Sequence, residues 1–450
     1  MQIKLSVTYL GPTDYGHLMT VVIFIQSLTA WTDLGIGTIV VRRVSGQGAD
    51  FVRTVGLGLA LGLAIMTPTF VAANLVAQVM YRDQPEVVLG IGVVSLGLLA
   101  TTWATSLRPV AQVTNRFGHY AAADLIGRIL SLALIVVVIT MDLGLSWFFV
   151  AQLMVPFGQV IAMTRLGRLV ADIRPVWQAR DLWGLLRESL PLSYVALVAT
   201  LYYTIDGLML SKLTSPEQVG AYGLAYRIVA NLTIVSTSAA AVLTSRFAQE
   251  ASLPRGRMAK TLRDSLGGIL LIAAPLAVLM YPLAPDVIRI VGSREMVELS
   301  RWPLVGVSIA VAIGMVTAVC SVALIADHQQ RAMTILNTVT LGLNVALNLA
   351  LIPRYEATGA AAALVMSEFV GLLVCCWLMA RRIGNFVPAR LLVRLVPALA
   401  ICLVVEYTVL QVVHGVMRVL IVGAVYAAGL LAFRAVDVTE VRRLLSRTRG

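Results

Sequence analysis

Long apolar segments recur along the whole chain, and they constrain its fold more than any other feature. An α-helix needs ~20 apolar residues to cross the hydrocarbon core of a bilayer. Thirteen segments of about that length lie at roughly 17–41, 55–80, 87–107, 121–141, 145–164, 189–211, 220–245, 265–285, 303–326, 332–352, 359–380, 391–412 and 416–433. Backbone groups in lipid must be paired within the segment, and no segment alternates as a barrel strand does. We therefore predict an all-α polytopic membrane protein with thirteen full spans.

Composition excludes a water-soluble protein. Hydrophobic residues make up 59% of the chain and charged residues 13%, whereas soluble domains contain ~45–50% apolar and ~25% charged residues. The net charge of +12 lies in linkers between apolar segments, so we expect no nucleic-acid binding. The sequence contains no phosphate-binding GxxxxGK[ST] loop and no HExxH motif, and we expect no catalytic residues, no metal and no cofactor.

Lysine and arginine are concentrated in alternate linkers. One set of linkers, which includes the carboxyl-terminal tail, carries 25 of these residues, and the opposite set carries seven. Positively charged loops face the cytoplasm. The carboxyl terminus is therefore predicted to be cytoplasmic, and the segment around 10–16 is predicted to face the opposite side.

An internal repeat divides the predicted spans. The Pro-to-Gly turn at 12–16 resembles the turn at 216–220, an offset of 204, and Arg42 matches Arg246 at the same offset. Six spans separate the two turns, so the halves have the same orientation. The span 189–211 maps onto about −15 to 7, so the sequence is expected to begin partway through its first helix. The predicted domains are an N-lobe at 1–166, a cytoplasmic linker at 167–188, a C-lobe of six spans at 189–383, a C-terminal helix pair at 391–433 and a cytoplasmic tail at 434–450.

Three sequence patterns resemble a known transporter family. They are LGPTDYGHL at 10–18, TDLG at 32–35, and PLSYVALVATLYYTIDGLMLSKLTSPEQVGAYGLAYRIV at 191–229. The patterns resemble the polysaccharide-exporter and oligosaccharide-flippase branch of the multidrug/oligosaccharidyl-lipid/polysaccharide (MOP) superfamily. This resemblance implies a fold of 12–14 helices in two lobes. It also implies flipping of an undecaprenyl-diphosphate-linked glycan, or export of a polysaccharide, across the inner membrane of a bacterium.

Ionisable groups at membrane depth are costly and usually face a partner or a wet cavity. This sequence has few of them: Asp33, Asp124, Arg128, Asp206, Arg227, Glu368 and Glu406. Arg227 follows Tyr222 and Tyr226, which share a helical face. Asp206 follows Tyr202 by four residues on the preceding helix, and both charges are predicted to lie about two turns from the connecting turn. A guanidinium matches phosphate oxygens. Arg227 and Asp206 therefore either bind the substrate diphosphate or form a structural ion pair.

The other polar groups at membrane depth have weaker assignments. Asp124 and Arg128 have i,i+4 spacing near the cytoplasmic end of their helix, which favours a local interfacial pair over a gate. Asp33 and Asn344 belong to polar stripes that either join helices or line a sugar path. Glu368 lies in the middle of its span and is a candidate site for a coupling proton or sodium ion.

Three functions fit these features to different degrees. The leading prediction is an alternating-access transporter that moves a lipid-diphosphate-linked oligosaccharide or polysaccharide from the cytoplasm to the periplasm, with Arg227, Asp206, Asp33, Tyr226, Tyr202 and Asn344 in the cleft. The alternative is a cation-coupled multidrug antiporter of the same superfamily. A membrane glycan polymerase or ligase is less favoured, because the outer linkers are short and lack a paired acid and base.

Overall fold

The computed structural model describes residues 1–47, 50–113, 117–164, 173–230, 255–384, 386–408 and 413–433, together with positions 232, 238, 240, 242–244, 246, 247, 249 and 435. All regular secondary structure in these residues is α-helical, as predicted. The helices are α1 (Gln2–Leu28), α2 (Ala30–Asp33), α3 (Ile36–Gln47), α4 (Phe51–Met80), α5 (Pro85–Val113), α6 (Phe117–Thr140), α7 (Leu145–Thr164), α8 (Ala179–Leu213), α9 (Pro216–Ala230), α10 (Arg255–Val291), α11 (Met296–Ala326), α12 (Gln330–Ile383), α13 (Ala389–Thr408) and α14 (Val416–Ala432).

Eleven of the thirteen predicted spans coincide within a few residues with one of these helices or with part of one, where the structure describes them. The predicted span 220–245 matches α9 up to Ala230, and its remainder lies largely outside the described residues. In the described residues, seven helices are long and apolar enough to cross a bilayer, namely α4, α5, α8, α10, α11, α12 and α13. Residues 145–161 of α7 and all of α14 form shorter apolar helices. The chain is therefore a multi-pass membrane protein.

A glycine or proline marks the helix boundary in each copy of the repeat. Gly11 adopts φ 69° inside α1, so residues 2–10 form a short helix and a second helical segment begins at Pro12. The second copy of the repeat has the same arrangement, since α8 ends at Leu213 and α9 begins at Pro216. Proline is favoured in the first turn of a helix because its missing N–H has no intrahelical acceptor there.

The predicted span at 17–41 is not one continuous helix, and this prediction was wrong. Leu34 and Gly35 both adopt positive φ values, of 46° and 69°, and separate α2 from α3. Glycine reaches this left-handed backbone region without a steric penalty. Gly35 also lies against α8, because a Cβ at this position would come within 2.7 Å of the Leu192 Cβ.

The predicted spans 332–352 and 359–380 are the two arms of α12. Glu356 has φ 51° between them, and the arms pack against each other in antiparallel order. A Cβ on Gly359 would lie 2.5 Å from the carbonyl oxygen of Leu351, so only glycine allows this close return of the chain.

The chain divides into two compact units, Met1–Gly220 and Ala221–Gly450. In the first unit, a buried cluster joins α3, α4, α5 and α8 and includes Ile39, Val55, Leu107 and Leu185. In the second unit, α13 and α14 pack against α10 through Leu279, Leu283, Leu399, Cys402 and Val422. The predicted terminal helix pair therefore lies against a helix of the second unit.

Candidate functional site

The two Pro-to-Gly turns of the repeat contact each other. Thr13 donates a hydrogen bond from Oγ1 to Oε1 of Glu217 at 2.6 Å. These residues are 204 positions apart, which is the repeat offset. Gly16 and Gly220 have the same offset and pack closely, since a Cβ on Gly220 would lie 3.2 Å from the Gly16 Cα. Equivalent positions of the two copies therefore meet directly.

Glu217 is stabilised as a carboxylate at this contact. A hydrogen bond with the Ser215 side chain lowers the pKa of Glu217, and the bond from Thr13 lowers it further. Hydrogen bonds to the charged form of a carboxyl group favour ionisation. Glu217 is therefore a charged acceptor for Thr13 at neutral pH.

Arg227 lies in the last turn of α9, directly after two stacked tyrosines. The rings of Tyr222 and Tyr226 lie 6.5 Å apart with an interplanar angle of 26°, so the predicted shared face is confirmed. Arg227 and Tyr226 are half-buried. Because α9 begins at Pro216 rather than near 220, Arg227 lies about three turns into its helix, one turn deeper than predicted.

Asp206 lies about two turns before the end of α8, as predicted. Its side chain is buried, with 1% of the residue exposed. Tyr202, one turn earlier, is half-buried and makes an edge contact with the neighbouring Tyr203 at 5.7 Å between ring centroids. A carboxylate at this depth and burial needs polar or charged surroundings. The predicted diphosphate role of Asp206 and Arg227 stays a prediction.

Asp124 and Arg128 form the predicted local pair. The Arg128 Nε donates to Asp124 Oδ2 at 2.7 Å, and Gln159 of α7 donates to Asp124 Oδ1 at 3.1 Å. The Arg128 side chain is 66% exposed, so this pair lies at a surface of α6. Asp33 is the last residue of α2, and its side chain lies outside the described part of the structure.

Asn344 lies between the two arms of α12. Its Nδ2 donates to the Ser367 hydroxyl at 3.3 Å, and its Oδ1 accepts from Asn348 at 3.0 Å. All three residues are fully buried. These contacts favour a role of the asparagine stripe in joining the arms, the first of the two alternatives that the sequence left open.

Glu368 follows Ser367 on the second arm of α12 and faces α11. A Cβ on Gly314 would lie 3.5 Å from the Glu368 Oε2, so the absence of a side chain at Gly314 leaves room for this carboxylate. Glu368 is half-buried. Its predicted role at a coupling ion stays a prediction, and the described residues contain no cluster of three or more His, Cys, Asp or Glu residues that would hold a metal ion.

A buried charge cluster joins α10, α13 and α14, and the sequence did not predict it. Arg418 donates from Nε to Glu406 Oε1 at 2.6 Å and from Nη1 to Asp286 Oδ2 at 2.9 Å. Glu406 and Asp286 are 1% and 0% exposed. The backbone N–H of Gly415 also donates to Asp286, at 2.9 Å. The signal in the sequence was Glu406 at membrane depth, but its partners Arg418 and Asp286 lie near the ends of two other helices.

Comparison with protein families identifies the chain. The sequence model of a family described as polysaccharide biosynthesis protein matches residues 9–301. The chain belongs to this polysaccharide biosynthesis family. The matched range contains all three patterns that resembled flippases, and it covers Arg227 and Asp206. No curated protein matches the chain.

Solved transporters have the same fold as this member of the polysaccharide biosynthesis family. The lipid II flippase MurJ in an inward closed conformation matches with a TM-score of 0.77 at 12% identity, over 96% of this chain and 95% of that chain. An inward-facing multidrug resistance MATE family transporter of the MOP superfamily matches with a TM-score of 0.68 at 15% identity, over 84% and 93% of the two chains. A MOP superfamily transporter from Pyrococcus furiosus matches with a TM-score of 0.59 at 16% identity, over 83% and 88%. The family match and the structural matches together show a polytopic member of a polysaccharide biosynthesis family that has the fold of these transporters.

Proposed function

We propose that this protein flips a lipid-diphosphate-linked oligosaccharide from the cytoplasmic to the periplasmic face of a bacterial inner membrane. The observation that carries the proposal is the combination of membership in a polysaccharide biosynthesis family with a fold that matches the lipid II flippase over 96% of the chain. The arginine-rich linkers support a cytoplasmic carboxyl terminus.

Alternating access provides the mechanism. In transporters built from repeats, one repeat rocks against the other around a site near the middle of the membrane. The predicted lobes at 1–166 and 189–383 take these parts. The polyprenyl tail stays in the bilayer, because moving each CH₂ group into water costs ~0.8 kcal/mol.

Arg227 is the proposed ligand of the diphosphate. Its forked donors match phosphate oxygens, and the preceding Tyr226 offers an aromatic face at the same level of α9. Asp206 and Tyr202 belong to the proposed substrate cleft, whereas Asn344 joins the two arms of α12. Asp124 and Arg128 act as a local interfacial pair rather than as a gate, and Glu368 binds the coupling ion, a proton or sodium.

Flipping measured in proteoliposomes tests this function. The assay uses a fluorescent undecaprenyl-diphosphate oligosaccharide and a membrane-impermeant quencher, with wild type, Arg227→Ala and Arg227→Lys. A charge-assisted hydrogen bond is worth ~1.5–3 kcal/mol, so Arg227→Ala is expected to lower flipping by about ten- to a hundredfold. Lysine keeps the charge without the fork and is expected to restore part of the rate.

Arg354→Ala is the matched control, because it removes one positive charge from an exposed position of α12. It is expected to flip at the wild-type rate. Wild-type flipping by Arg227→Ala would refute the role of Arg227, and no flipping of any lipid diphosphate by the wild-type protein would refute the function.

The multidrug antiporter is the second candidate function, and the match to a MATE family transporter supports it. An antiporter of cationic drugs would need acidic groups in its cleft, for which Asp206 and Glu368 are the candidates. Drug-resistance profiling of cells that express the chain separates the two functions. A broad rise in resistance to cationic drugs, lost in Asp206→Asn, would favour the antiporter.

A further inference from the structure

A segment that we call the strap, residues 173–193, is fastened along α3 and α4 within the first unit. The backbone N–H of Val176 donates to the carbonyl of Gly56 at 3.1 Å. Ser193 donates from its hydroxyl to the carbonyl of Leu34 at 2.7 Å. Ile173 and Leu185 are buried in the core beneath these bonds. The position of the strap against α3 and α4 is therefore set by backbone bonds and apolar contacts.

Two ion pairs also join the strap to α3 and α4, and they differ in charge balance. Arg53 donates to Asp181 at 2.8 Å and to the Gln178 amide oxygen at 2.7 Å, which pairs one cation with one carboxylate. Glu188, by contrast, accepts from both Arg42 and Arg43. The second cluster therefore carries one positive charge that no carboxylate in it compensates.

The geometry around Glu188 resembles an anion site occupied by the protein's own carboxylate. Arg43 reaches Glu188 Oε2 with two donors, from Nε at 3.0 Å and from Nη2 at 2.5 Å. Arg42 binds the other oxygen, Oε1. Both carboxylate oxygens are thus held by adjacent guanidinium groups, which present the forked donors that suit phosphate oxygens.

The cluster is accessible from the surface of the first unit. The Arg42 side chain is 64% exposed, and those of Glu188 and Arg43 are 29% and 25% exposed. Solvent reaches all three side chains, so water can solvate the partners when they separate, and these ion pairs cost less to break than fully buried ones. An incoming polyanion can therefore displace Glu188 without unfolding the strap, which its other bonds hold in place.

We propose that Arg42 and Arg43 form a docking site for the diphosphate headgroup of the lipid-linked substrate, and that Glu188 occupies this site until the diphosphate displaces it. The inference rests on the proposed function, since it names the place where the substrate first binds. Arg42 and Arg43 end a predicted membrane segment on the side assigned to the cytoplasm, at the level where lipid headgroups lie. Two guanidinium groups match two phosphates better than the single phosphate of a common anionic lipid.

The test is a binding measurement with farnesyl diphosphate as the probe and the full-length protein in nanodiscs of neutral lipid. Glu188→Gln keeps the size of the side chain and removes the competing charge. It is expected to bind farnesyl diphosphate about three- to tenfold more tightly than wild type at low salt, and the gain should shrink in 0.5 M salt because exposed charges are screened. Adding Arg42→Gln and Arg43→Gln to this variant should reduce binding below the wild-type level.

Asp181→Asn is the matched control, because it adds the same positive charge to the same strap but frees only Arg53. It should leave binding within about twofold of wild type. An equal gain in Asp181→Asn and Glu188→Gln would overturn the site, since it would show a general charge effect. Equally strong competition by phosphatidylglycerol in the nanodisc would also overturn it, since the cluster would then be an anionic-lipid surface.

A charge exchange covers the case in which the arginine variants fail to fold. The double variant Arg43→Glu with Glu188→Arg keeps an ion pair between α3 and the strap but reverses its direction. It is expected to melt near the wild-type temperature and to bind farnesyl diphosphate more weakly than Glu188→Gln, because a carboxylate still occupies the cluster. If this folded variant bound farnesyl diphosphate as tightly as Glu188→Gln does, the inference would be refuted.

The same protein preparations separate this inference from the proposed function. Wild-type flipping together with unchanged binding in Glu188→Gln would refute the docking site alone. Absence of both flipping and lipid-diphosphate binding in the wild-type protein would refute the proposed function.

Discussion

The contact between the two Pro-to-Gly turns makes a specific prediction about Gly16. A Cβ at this position would lie well under 3.0 Å from the carbonyl carbon and oxygen of Pro216. Real Cβ atoms do not approach backbone so closely, so Gly16→Ala must move α1 and the first turn of α9 apart by about 1 Å. Neither neighbour is a flexible side chain that would move aside at low cost.

The expected result is a clear loss of stability. Inserting volume into a close-packed contact costs ~1–3 kcal/mol. For a body of 150–250 residues, 1 kcal/mol shifts the melting temperature by about 2–4 °C, and the first unit spans 220 residues. Gly16→Ala is therefore expected to melt about 2–12 °C lower in differential scanning fluorimetry, with a larger decrease for Gly16→Val.

Two other glycines provide graded controls. A Cβ on Gly220 would lie 3.2 Å from Gly16, a distance that a shift of a few tenths of an ångström relieves, so Gly220→Ala should destabilise less than Gly16→Ala. Gly342 of α12 has open space around it. Gly342→Ala should be neutral or stabilising by up to ~1 kcal/mol, because alanine favours helix more than glycine does. Equal melting temperatures for Gly16→Ala and Gly342→Ala would refute the close contact.

Three further predictions follow from other charged groups. Arg418→Met leaves the buried carboxylates of Glu406 and Asp286 without their main cation. A broken buried ion pair costs ~3–5 kcal/mol, so the melting temperature of this variant should fall strongly. Neutralising both carboxyl groups as well should reverse most of the decrease. Because the pKa of Glu217 is lowered in the folded protein, its charged form stabilises the fold above the ordinary pKa of about 4.3. This stabilisation is lost as the pH falls through the lowered pKa. Wild type should therefore lose more stability than Glu217→Gln between about pH 5 and 3, as measured by melting temperature. Glu368→Gln should abolish the response of flipping to a proton or sodium gradient and leave flipping without a gradient unchanged; an unaltered response to both gradients would remove Glu368 from coupling.

The positions of the spans follow from the sequence alone, because ~20 apolar residues and internal backbone pairing are requirements of the bilayer itself. The breaks within spans follow less directly. Gly35 after Asp33 and Leu34 is a left-handed helix end, yet its apolar surroundings are those of a continuous helix. By contrast, the break between the predicted spans 332–352 and 359–380 was predicted, and the chain reverses there at Glu356. The local sequence determines where each apolar segment begins and ends. Where the backbone leaves the helical conformation within a segment depends also on the helices that pack against it.

The candidate site divides in the same way. Pairs that depend on helical spacing were predicted correctly, as with Asp124 and Arg128 and with the stacked tyrosines of α9. The number of helical turns before Arg227 was underestimated by one, because the apolar segment begins near residue 220 whereas the helix begins at Pro216.

The cluster around Arg418 shows why a list of buried charges does not reveal their partners. Glu406 was recognisable as an ionisable group at membrane depth, but Arg418 was counted with the outer linkers although it lies at the start of the predicted span 416–433, and Asp286 lies one residue beyond the predicted span 265–285. Arg418 reaches both carboxylates from the first turn of α14, and Asp286 lies near the end of α10, so the cluster forms only where three helix ends meet. Long arginine side chains extend along apolar surface toward such ends. Charges at the predicted ends of adjacent spans therefore need to be considered together with the nearest ionisable group inside a span, since a long basic side chain at a helix end reaches a carboxylate of a neighbouring helix.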